Sequence, residues 1–379
     1  MPLIKNGYIK TMASEDIKNG CLLIGDDGKI AEIGENIAVP EGTEIIDAQG
    51  KLVTPGCVEA HCHLGMSDLS GGDHNESTNA ITPEMRAIDG INPQNEAFEN
   101  ALKGGVTSVC TGPGSANIVG GTFAAIKCYG KRVDDMIIKN PVAMKCAFGE
   151  NPKKFYGSNG KAPKTRMAIA AMLRAFLYKA KKYYEDKRDG KDPNFDLKLE
   201  AMIPVMSGEI PLKAHAHRAD DIFTAIRIAK EFDLKLTLDH CTDGALIADE
   251  LAAEGYPAFV GPSMGGKSKY ELWNKGFDTP AALYKAGVDI AIITDAGVIQ
   301  IQYLPFVAGM AAKSGLPMEE AWRAITINSA TLTGIGDRVG SLEVGKDGDV
   351  VIWQADPLCE IGAEAQITII DGKVVYKAD

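Results

Sequence analysis

Short runs of β-branched and apolar residues alternate with turn-forming pairs at both ends of the chain. Asn6-Gly7, Asn19-Gly20 and Asp27-Gly28 separate such runs near the N-terminus, and Asp347-Gly348 and Asp371-Gly372 do so near the C-terminus. The pattern predicts strands at Leu3–Ile9, Cys21–Ile24, Ile30–Ile33, Glu44–Ile46, Asp349–Trp353, Ile367–Ile370 and Val374–Tyr376. The two ends resemble each other more than the middle, so we expect one small β-sandwich domain built from residues 1–54 and 335–379.

The middle of the chain has a different pattern, in which short apolar runs alternate with helical stretches. The helical pattern is clearest at Thr165–Asp186 and Arg218–Phe232. Eight runs predict strands, although the third is weakly defined: Val58–Cys62, Val106–Cys110, Thr122–Lys127, Val142–Ala147, Leu212–His215, Lys235–Asp239, Ala258–Gly261 and Ile290–Thr294. We predict an α/β fold with a (β/α)8 TIM barrel over residues 55–334. An open doubly wound sheet is less favoured, because no glycine-rich phosphate turn follows the first strand.

The composition is that of a folded globular protein with an acidic surface. Hydrophobic residues make up 45% of the 379 residues, and the net charge of −11 argues against general binding to nucleic acid or to an anionic membrane. The N-terminus lacks the pattern of a signal peptide, and no apolar run approaches the roughly 18 residues of a membrane span. The eight cysteines are scattered and predict reduced, buried side chains. We expect a cytoplasmic enzyme with a small-molecule substrate, and a homo-oligomer is compatible with the sequence.

Histidine is scarce, and its placement points to a metal site. Five of the six histidines fall at or just after the ends of predicted strands, and in a barrel of this type the C-terminal ends of the strands carry the catalytic groups. His61 and His63 lie two residues apart, a spacing that puts both imidazoles on one face of a strand. Two such nitrogens can share a divalent cation such as zinc.

Three more residues of the ligand type end other predicted strands, namely His215, His240 and Asp295. A buried histidine without a metal must satisfy both ring nitrogens, so a cluster of four needs an explanation. Asp295 could instead cap a helix, but apolar strands rarely end in a lone carboxylate opposite histidines. We therefore interpret these residues as further parts of one metal site.

Two basic features each allow two interpretations. Lys145 interrupts an apolar strand, where a lysine is costly unless it is ion-paired or modified. It is either an ion-paired lysine or, beside the histidines, an N-carboxylated lysine whose carbamate bridges two metals. The basic segment from Lys153 to Lys191 is either a solvated helix face or a lid whose Arg166 or Lys164 contacts a substrate carboxylate.

Taken in order, these motifs resemble the amidohydrolase superfamily, in particular the branch related to imidazolonepropionase and the metal-dependent dipeptidases. The resemblance rests on Thr54-Pro55-Gly56 before His61-Cys62-His63, on His215-Ala216-His217, His240 and Thr294-Asp295-Ala296, and on Asn328-Ser329-Ala330 through Gly340-Ser341-Leu342-Glu343-Val344-Gly345-Lys346. It implies one or two divalent metal ions, with Zn²⁺ the expected metal. It also implies a set of ligands made of His61, His63, Lys145 as the carboxylated bridge, His215, His240 and Asp295.

The resemblance also implies roles in catalysis and substrate binding. Asp295 is expected to accept the proton of the attacking water and to pass it to the leaving nitrogen. His217 is expected to face the substrate, to support catalysis there, and to rank below His215 as a ligand. Glu150 is an alternative to Lys145 as the group from the fourth strand and a candidate for substrate contact, as is Arg166.

The function implied is hydrolysis of a non-activated C–N bond by metal-activated hydroxide, in a cyclic amide or a peptide-like substrate. The alternative is a single-metal deaminase or an imidazolonepropionase-like enzyme. The resemblance to those enzymes implies a catalytic glutamate at the position that His217 occupies in this sequence. A non-catalytic scaffold is less favoured, because every ligand position is filled.

Overall fold

The computed structural model describes residues 1–68, 71–76 and 78–378. Its strands are β1 (Pro2–Ile9), β2 (Ile17–Ile24), β3 (Ile30–Gly34), β4 (Glu44–Asp47), β5 (Leu52–Pro55), β6 (Cys57–Cys62), β7 (Ser67–Asp68), β8 (Gly71–Gly72), β9 (Val106–Thr111), β10 (Val119–Lys127), β11 (Ile137–Ala147), β12 (Leu212–Ala216), β13 (Leu236–His240), β14 (Ala258–Val260), β15 (Ile290–Ile292), β16 (Val350–Trp353), β17 (Ala365–Ile370) and β18 (Lys373–Lys377). Its helices are α1 (Ala97–Lys103), α2 (Val133–Met136), α3 (Glu150–Gly157), α4 (Arg166–Arg188), α5 (Leu197–Glu200), α6 (Ile203–Met206), α7 (Ala219–Phe232), α8 (Ala248–Glu254), α9 (Thr279–Ala286), α10 (Leu304–Lys313), α11 (Met318–Arg323) and α12 (Ile327–Leu332).

The central sheet contains all eight strands that the sequence predicts for the barrel. Its order is β6-β9-β10-β11-β12-β13-β14-β15. Every neighbouring pair is parallel except those of β10, which runs antiparallel to both β9 and β11. The segment 112–118 between β9 and β10 contains no helix, and a parallel crossover needs about a dozen residues or more. The α/β barrel is therefore confirmed, with its third strand reversed because the connection before it is short.

Contacts between the first and last strands bring the barrel close to closure. The backbone N–H of His63, just after β6, donates to the carbonyl oxygen of Ala296 at 2.7 Å. Glu59 on β6 accepts from the backbone N–H of Thr294 at 2.9 Å and from its hydroxyl at 2.5 Å. Burial raises the pKa of Glu59 to about 8. These contacts hold the ends of β6 and β15 side by side, where the candidate ligands His61 and Asp295 lie.

The two longest barrel helices form where the sequence predicts them. The side chain of Thr165 accepts from the backbone N–H of Ala168 and caps the start of α4. Helix α7 ends at Phe232 and is followed by the capping residue Asp233, which takes the left-handed conformation with φ 56°. Among the described residues, no helix is long and apolar enough to span a membrane. The cysteines are free, and Cys359 is the exposed one.

A second sheet combines strands from both ends of the chain. Its order is β18-β17-β16-β5-β1-β2-β3, and β4 also pairs with β1. Strand β16 pairs antiparallel with β5, so the C-terminal strands continue the N-terminal sheet. Ile4, Leu22, Val53, Val350 and Ile369 from both parts share one buried hydrophobic core. This arrangement agrees with the small β unit expected from both termini, and β5 is a strand that the sequence analysis missed.

A buried ionic cluster links the two sheets. Lys127 at the end of β10 lies 2.7 Å from Asp349 and 2.9 Å from Asp347, both next to β16. Asp347 also accepts from Arg338 at 2.7 Å. Because the side chains of Lys127, Asp347 and Asp349 are almost fully buried, the charge of each depends on its partners, and the cluster fixes β10 against the terminal sheet.

Candidate active site

The C-terminal ends of the barrel strands bring five histidines and one aspartate together. His61 and His63 come from the end of β6, His215 and His217 from the end of β12, and His240 from the end of β13. Asp295 lies three residues beyond β15. Their side chains form two groups, each with ligand atoms within 4.8 Å of one another: His61, His63 and Asp295 in the first, and His215, His217 and His240 in the second.

The first group is built around the Asp295 carboxylate. Its Oδ1 lies 3.5 Å from Nε2 of His61 and 3.3 Å from Nε2 of His63. Nδ1 of His63 is 2.7 Å from the carbonyl oxygen of Gly112. A carbonyl only accepts hydrogen bonds, so Nδ1 carries the proton and Nε2 presents a lone pair. The side chains of His63 and Asp295 are 14% and 13% exposed, so this group faces the barrel mouth.

The second group is more deeply buried. Nδ1 of His240 donates to the carbonyl oxygen of Gly261 at 2.7 Å, so Nε2 of His240 is unprotonated and carries a lone pair. His215 and His217 instead place Nδ1 against hydroxyl oxygens, those of Ser115 at 2.9 Å and Thr242 at 2.7 Å. Burial lowers the pKa of all three imidazoles, that of His240 to about 3. They are therefore neutral at neutral pH, the form that binds metals.

Three buried atoms of the site lack a hydrogen-bond partner among the described residues: Nδ1 of His61, Nε2 of His240 and Oδ1 of Asp295. Burial raises the pKa of Asp295, but the imidazoles of His61 and His63 beside its carboxylate outweigh this effect, and the pKa lies well below its usual value. Leaving a lone pair and a buried carboxylate oxygen without partners is costly. A divalent cation satisfies both, so the residues present fit a metal site.

Lys145 lies beside the first group, together with two charged residues that the sequence analysis missed. Its fully buried Nζ is 3.3 Å from Nε2 of His61 and 3.4 Å from Oδ2 of Asp239. Asp239 also accepts from Nζ of Lys213 at 2.9 Å and lies 3.1 Å from Nδ1 of His61. Burial lowers the pKa of Lys145. Like Lys145, Asp239 and Lys213 are charged residues within apolar strands, and this pattern was visible in the sequence.

The structure places Glu150 and Arg166 outside the group of ligands. Oε1 of Glu150 accepts from the backbone N–H of Glu271 at 3.2 Å. Nε of Arg166 donates to Asp221 at 2.9 Å, and its Nη2 lies 4.0 Å from Glu271. The other oxygen of Glu271 lies 4.0 Å from Nε2 of His217. Glu271 therefore separates both residues from the histidines, and its place in the short 3₁₀ helix Tyr270–Leu272 gave no signal in the sequence.

The backbone is strained at two of the candidate ligands. His240 has φ 78° and Asp295 has φ 53°, values in the left-handed region that non-glycine residues rarely adopt. Such conformations cost about 1–3 kcal/mol each and persist where the surrounding structure holds them, most often at functional sites. Both strained residues belong to the two groups of candidate ligands.

Comparisons with known proteins agree with this geometry. The amidohydrolase family model matches residues 52–375. The crystal structure of an amidohydrolase from Thermotoga maritima MSB8 is 40% identical, covers 100% of both chains and has a TM-score of 0.95. The amidohydrolase tasK of Hapsidospora irregularis is 30% identical over 89% of this chain, which spans 38% of that protein's length. Imidazolonepropionase from Bacillus velezensis is 26% identical over 87% of this chain and 82% of its own. The superfamily resemblance is confirmed, and the chain is a hydrolase that belongs to the amidohydrolase family.

Proposed function

We propose that this enzyme hydrolyses a non-activated C–N amide bond in a cyclic amide or a peptide-like substrate. One observation carries the proposal: two groups of ligand atoms lie at the C-terminal ends of the barrel strands, and Nδ1 of His63 and of His240 contacts a carbonyl oxygen, which leaves Nε2 available to a metal. The group of Asp295 is accessible, so a substrate can reach it from solvent.

We infer that these residues hold one or two divalent ions, with Zn²⁺ the favoured metal. Imidazole nitrogens and a carboxylate are ligands that bind zinc and other divalent first-row transition metals. A bound divalent cation supplies Lewis acidity toward a carbonyl oxygen and activates water at neutral pH.

Lys145 is our proposed bridge, in its N-carboxylated form. Burial lowers the pKa of Lys145 and so favours the neutral amine, which is the form that adds to carbon dioxide with release of one proton. The resulting carbamate would place a negative charge beside His61, and Lys213 would remain as the ion-pair partner of Asp239.

Asp295 is the proposed proton carrier. Its carboxylate is ionised at neutral pH, because the neighbouring imidazoles of His61 and His63 hold its pKa low. It is also partly exposed, so it can orient a water molecule, accept its proton and deliver that proton to the leaving nitrogen.

Either ring nitrogen of His217 can carry the proton, whereas in His63 and His240 a carbonyl oxygen fixes the proton on Nδ1. Its Nδ1 faces the hydroxyl of Thr242, which can either donate or accept a hydrogen bond. Nε2 of His217 can therefore present either a lone pair to a metal or an N–H to a developing oxyanion. This freedom supports the substrate-facing role that we propose for His217.

Metal analysis combined with a substrate screen tests the proposal. We expect the metal-loaded protein to hydrolyse at least one class among cyclic amides, N-acyl amino acids and dipeptides. A chelator should abolish this activity and added Zn²⁺ should restore it. Absence of turnover across the panel in fully metal-loaded protein would contradict the proposal.

An imidazolonepropionase-like enzyme or a deaminase with one metal is the second candidate. The match to imidazolonepropionase over 87% of the chain favours it. The metal content separates the two candidates: two ions per chain support the lysine-bridged site, whereas one ion with ring opening of an imidazolone or release of ammonia supports the second.

A further inference from the structure

One short segment supplies hydrogen-bond partners to both groups of candidate ligands. The segment 112–118 connects β9 to β10. The carbonyl oxygen of its Gly112 lies 2.7 Å from Nδ1 of His63 in the first group, and the hydroxyl of its Ser115 lies 2.9 Å from Nδ1 of His215 in the second. The two histidines come from β6 and β12, and β9, β10 and β11 lie between these strands in the sheet. The segment therefore bridges the two groups.

The Asn151 side chain fixes where the proton of His215 lies. Oδ1 of Asn151 accepts from Nζ of Lys269 at 2.6 Å, so the amide nitrogen is the atom that lies 3.2 Å from Nε2 of His215. An amide nitrogen only donates, so Nε2 accepts and Nδ1 of the neutral ring carries the proton. Both His63 and His215 therefore donate from Nδ1 to the segment 112–118.

Two residues of the loop after β6 hold the middle of this segment. The backbone N–H of Gly114 donates to the carbonyl oxygen of His74 at 2.6 Å. The backbone N–H of Ala116 donates to Oδ1 of Asn75 at 2.9 Å. Ala116 is 5% exposed, so loss of the Asn75 amide would leave a buried N–H without its acceptor. Ser115 lies between these two hydrogen bonds, and the position of its hydroxyl depends on both.

The same loop also contacts the first group directly. The imidazole of His74, next to Asn75 in the chain, stacks on that of His63 with ring centroids 5.6 Å apart. Oγ of Ser67 lies 2.9 Å from Nδ1 of His74 and holds this ring in place. A change at Asn75 should therefore reach His63 as well as His215.

Gly114 leaves the space in which the Asn75 side chain lies. A Cβ atom at position 114 would be 2.6 Å from Oδ1 and 2.7 Å from Nδ2 of Asn75. Both distances are shorter than a non-bonded contact allows, so a larger residue at position 114 would push the Asn75 amide away from Ala116. Glycine here permits the close approach on which the hydrogen bond depends.

We propose that Asn75 is a positioning residue for both groups of candidate metal ligands. It holds the segment 112–118 in place, and that segment orients the imidazoles of His63 and His215. The inference rests on the proposed function for its link to metal binding, whereas the orientation of the imidazoles can be measured in the metal-free protein. Hydrogen-bond partners of metal-binding histidines fix the ring and its proton, and their loss weakens metal binding by about 10–100-fold.

NMR spectra of the histidine ring N–H groups in the metal-free protein test the proposal. Nδ1 of His240 donates to the carbonyl oxygen of Gly261, outside the segment 112–118, and so serves as an internal reference. We expect Asn75→Ala to shift the Nδ1–H signals of His63 and His215 and to leave that of His240 in place. A shift of all three signals would overturn the proposal, because it would show a general loosening of the barrel. A signal of His63 or His215 that does not move would overturn it as well.

Three further variants define the contact. Asn75→Asp keeps an acceptor oxygen for the N–H of Ala116, so we expect the signals of the unaltered protein. Gly114→Ala keeps Asn75 but displaces its amide, so we expect the shifts of Asn75→Ala, and this variant replaces Asn75→Ala if the latter fails to fold. The control Asn159→Ala removes an exposed amide that donates to the carbonyl oxygen of Phe155 at 3.1 Å, and it should change none of the signals. Asn75→Asp with the shifts of Asn75→Ala, or Gly114→Ala without them, would contradict the role of the Asn75 oxygen.

Zn²⁺ binding in a chelator competition connects this contact with the metal site. We expect Asn75→Ala to bind Zn²⁺ about tenfold more weakly or worse, and Asn159→Ala to stay within about twofold of the unaltered protein. Unchanged affinity in Asn75→Ala would overturn the proposal. Amide hydrolysis by the unaltered enzyme, together with unshifted ring signals in Asn75→Ala, overturns this inference alone. Shifted signals and weakened Zn²⁺ binding, without hydrolysis of any amide by the unaltered enzyme, overturn the proposed function and leave Asn75 in its positioning role.

Discussion

The Asp239→Asn variant tests the charged residues that support the candidate metal ligands. The Asp239 carboxylate contacts Nζ of Lys213 at 2.9 Å and Nζ of Lys145 at 3.4 Å, and it lies 3.1 Å from Nδ1 of His61. The side chains of Asp239 and Lys145 are 0% exposed, and that of Lys213 is 3% exposed. Asparagine keeps the shape of the side chain but leaves the buried ammonium group of Lys213 without its anion.

The size of the effect follows from these contacts. Removing one partner of a buried ion pair costs about 3–5 kcal/mol, because the remaining charge stays buried. For the 379 residues of the chain, an unfolding entropy of about 2.1 cal/mol/K per residue gives roughly 0.8 kcal/mol/K. We therefore expect Tm of the metal-free protein to fall by about 4–6 °C. Loss of the carboxylate beside His61 should also weaken metal binding by about 10–100-fold.

Thermal denaturation of the metal-free protein and titration with a competing chelator measure the two effects. Asp89→Asn is the control, since Asp89 pairs with Arg86 on the surface and its side chain is 61% exposed. We expect that control to leave both Tm and metal affinity unchanged. If Asp239→Asn behaves like the control in both measurements, then Asp239 does not support this site.

Three further predictions concern metal binding and pH. Lys145→Ala should reduce the metal content, measured by elemental analysis, to one ion or none per chain, and unchanged content would refute the bridge. Ser115→Ala should weaken metal binding in a chelator competition by about tenfold or more, because Nδ1 of His215 loses its partner at 2.9 Å. In urea unfolding, the metal-free protein should lose about 2 kcal/mol from His240 between pH 7 and pH 5. The folded pKa of about 3 lies below the usual 6.5, so only the unfolded chain takes up a proton in this window. A rise in stability over the same window would contradict that reasoning.

Most of the fold could be predicted because its signals are local. Apolar runs such as Ile290–Thr294 and turn pairs such as Asn6-Gly7 mark strands and their ends. The direction of β10 could not be predicted from its own residues. It depends on the short segment 112–118, whose conformation is set by contacts with distant parts of the chain.

The candidate site was predictable to the extent that its residues lie at strand ends. His61, His215, His240 and Asp295 could be placed together because the strand ends of a barrel share one rim. The partners of these residues depend on contacts distant in sequence. Glu271 comes from a short 3₁₀ helix and accepts a hydrogen bond from the backbone N–H of Glu150, 121 residues away, and no local pattern encodes such a pairing.

The Asp295→Asn variant tests the central claim most directly, with hydrolysis and metal content measured on the same sample. Asparagine retains an oxygen ligand and the shape of the side chain, but it cannot accept the proton of the attacking water. We expect kcat to fall by about 10²–10⁴-fold, while the metal content stays near that of the unaltered enzyme. Full activity in the metal-loaded variant would contradict the role of Asp295 and the proposed mechanism.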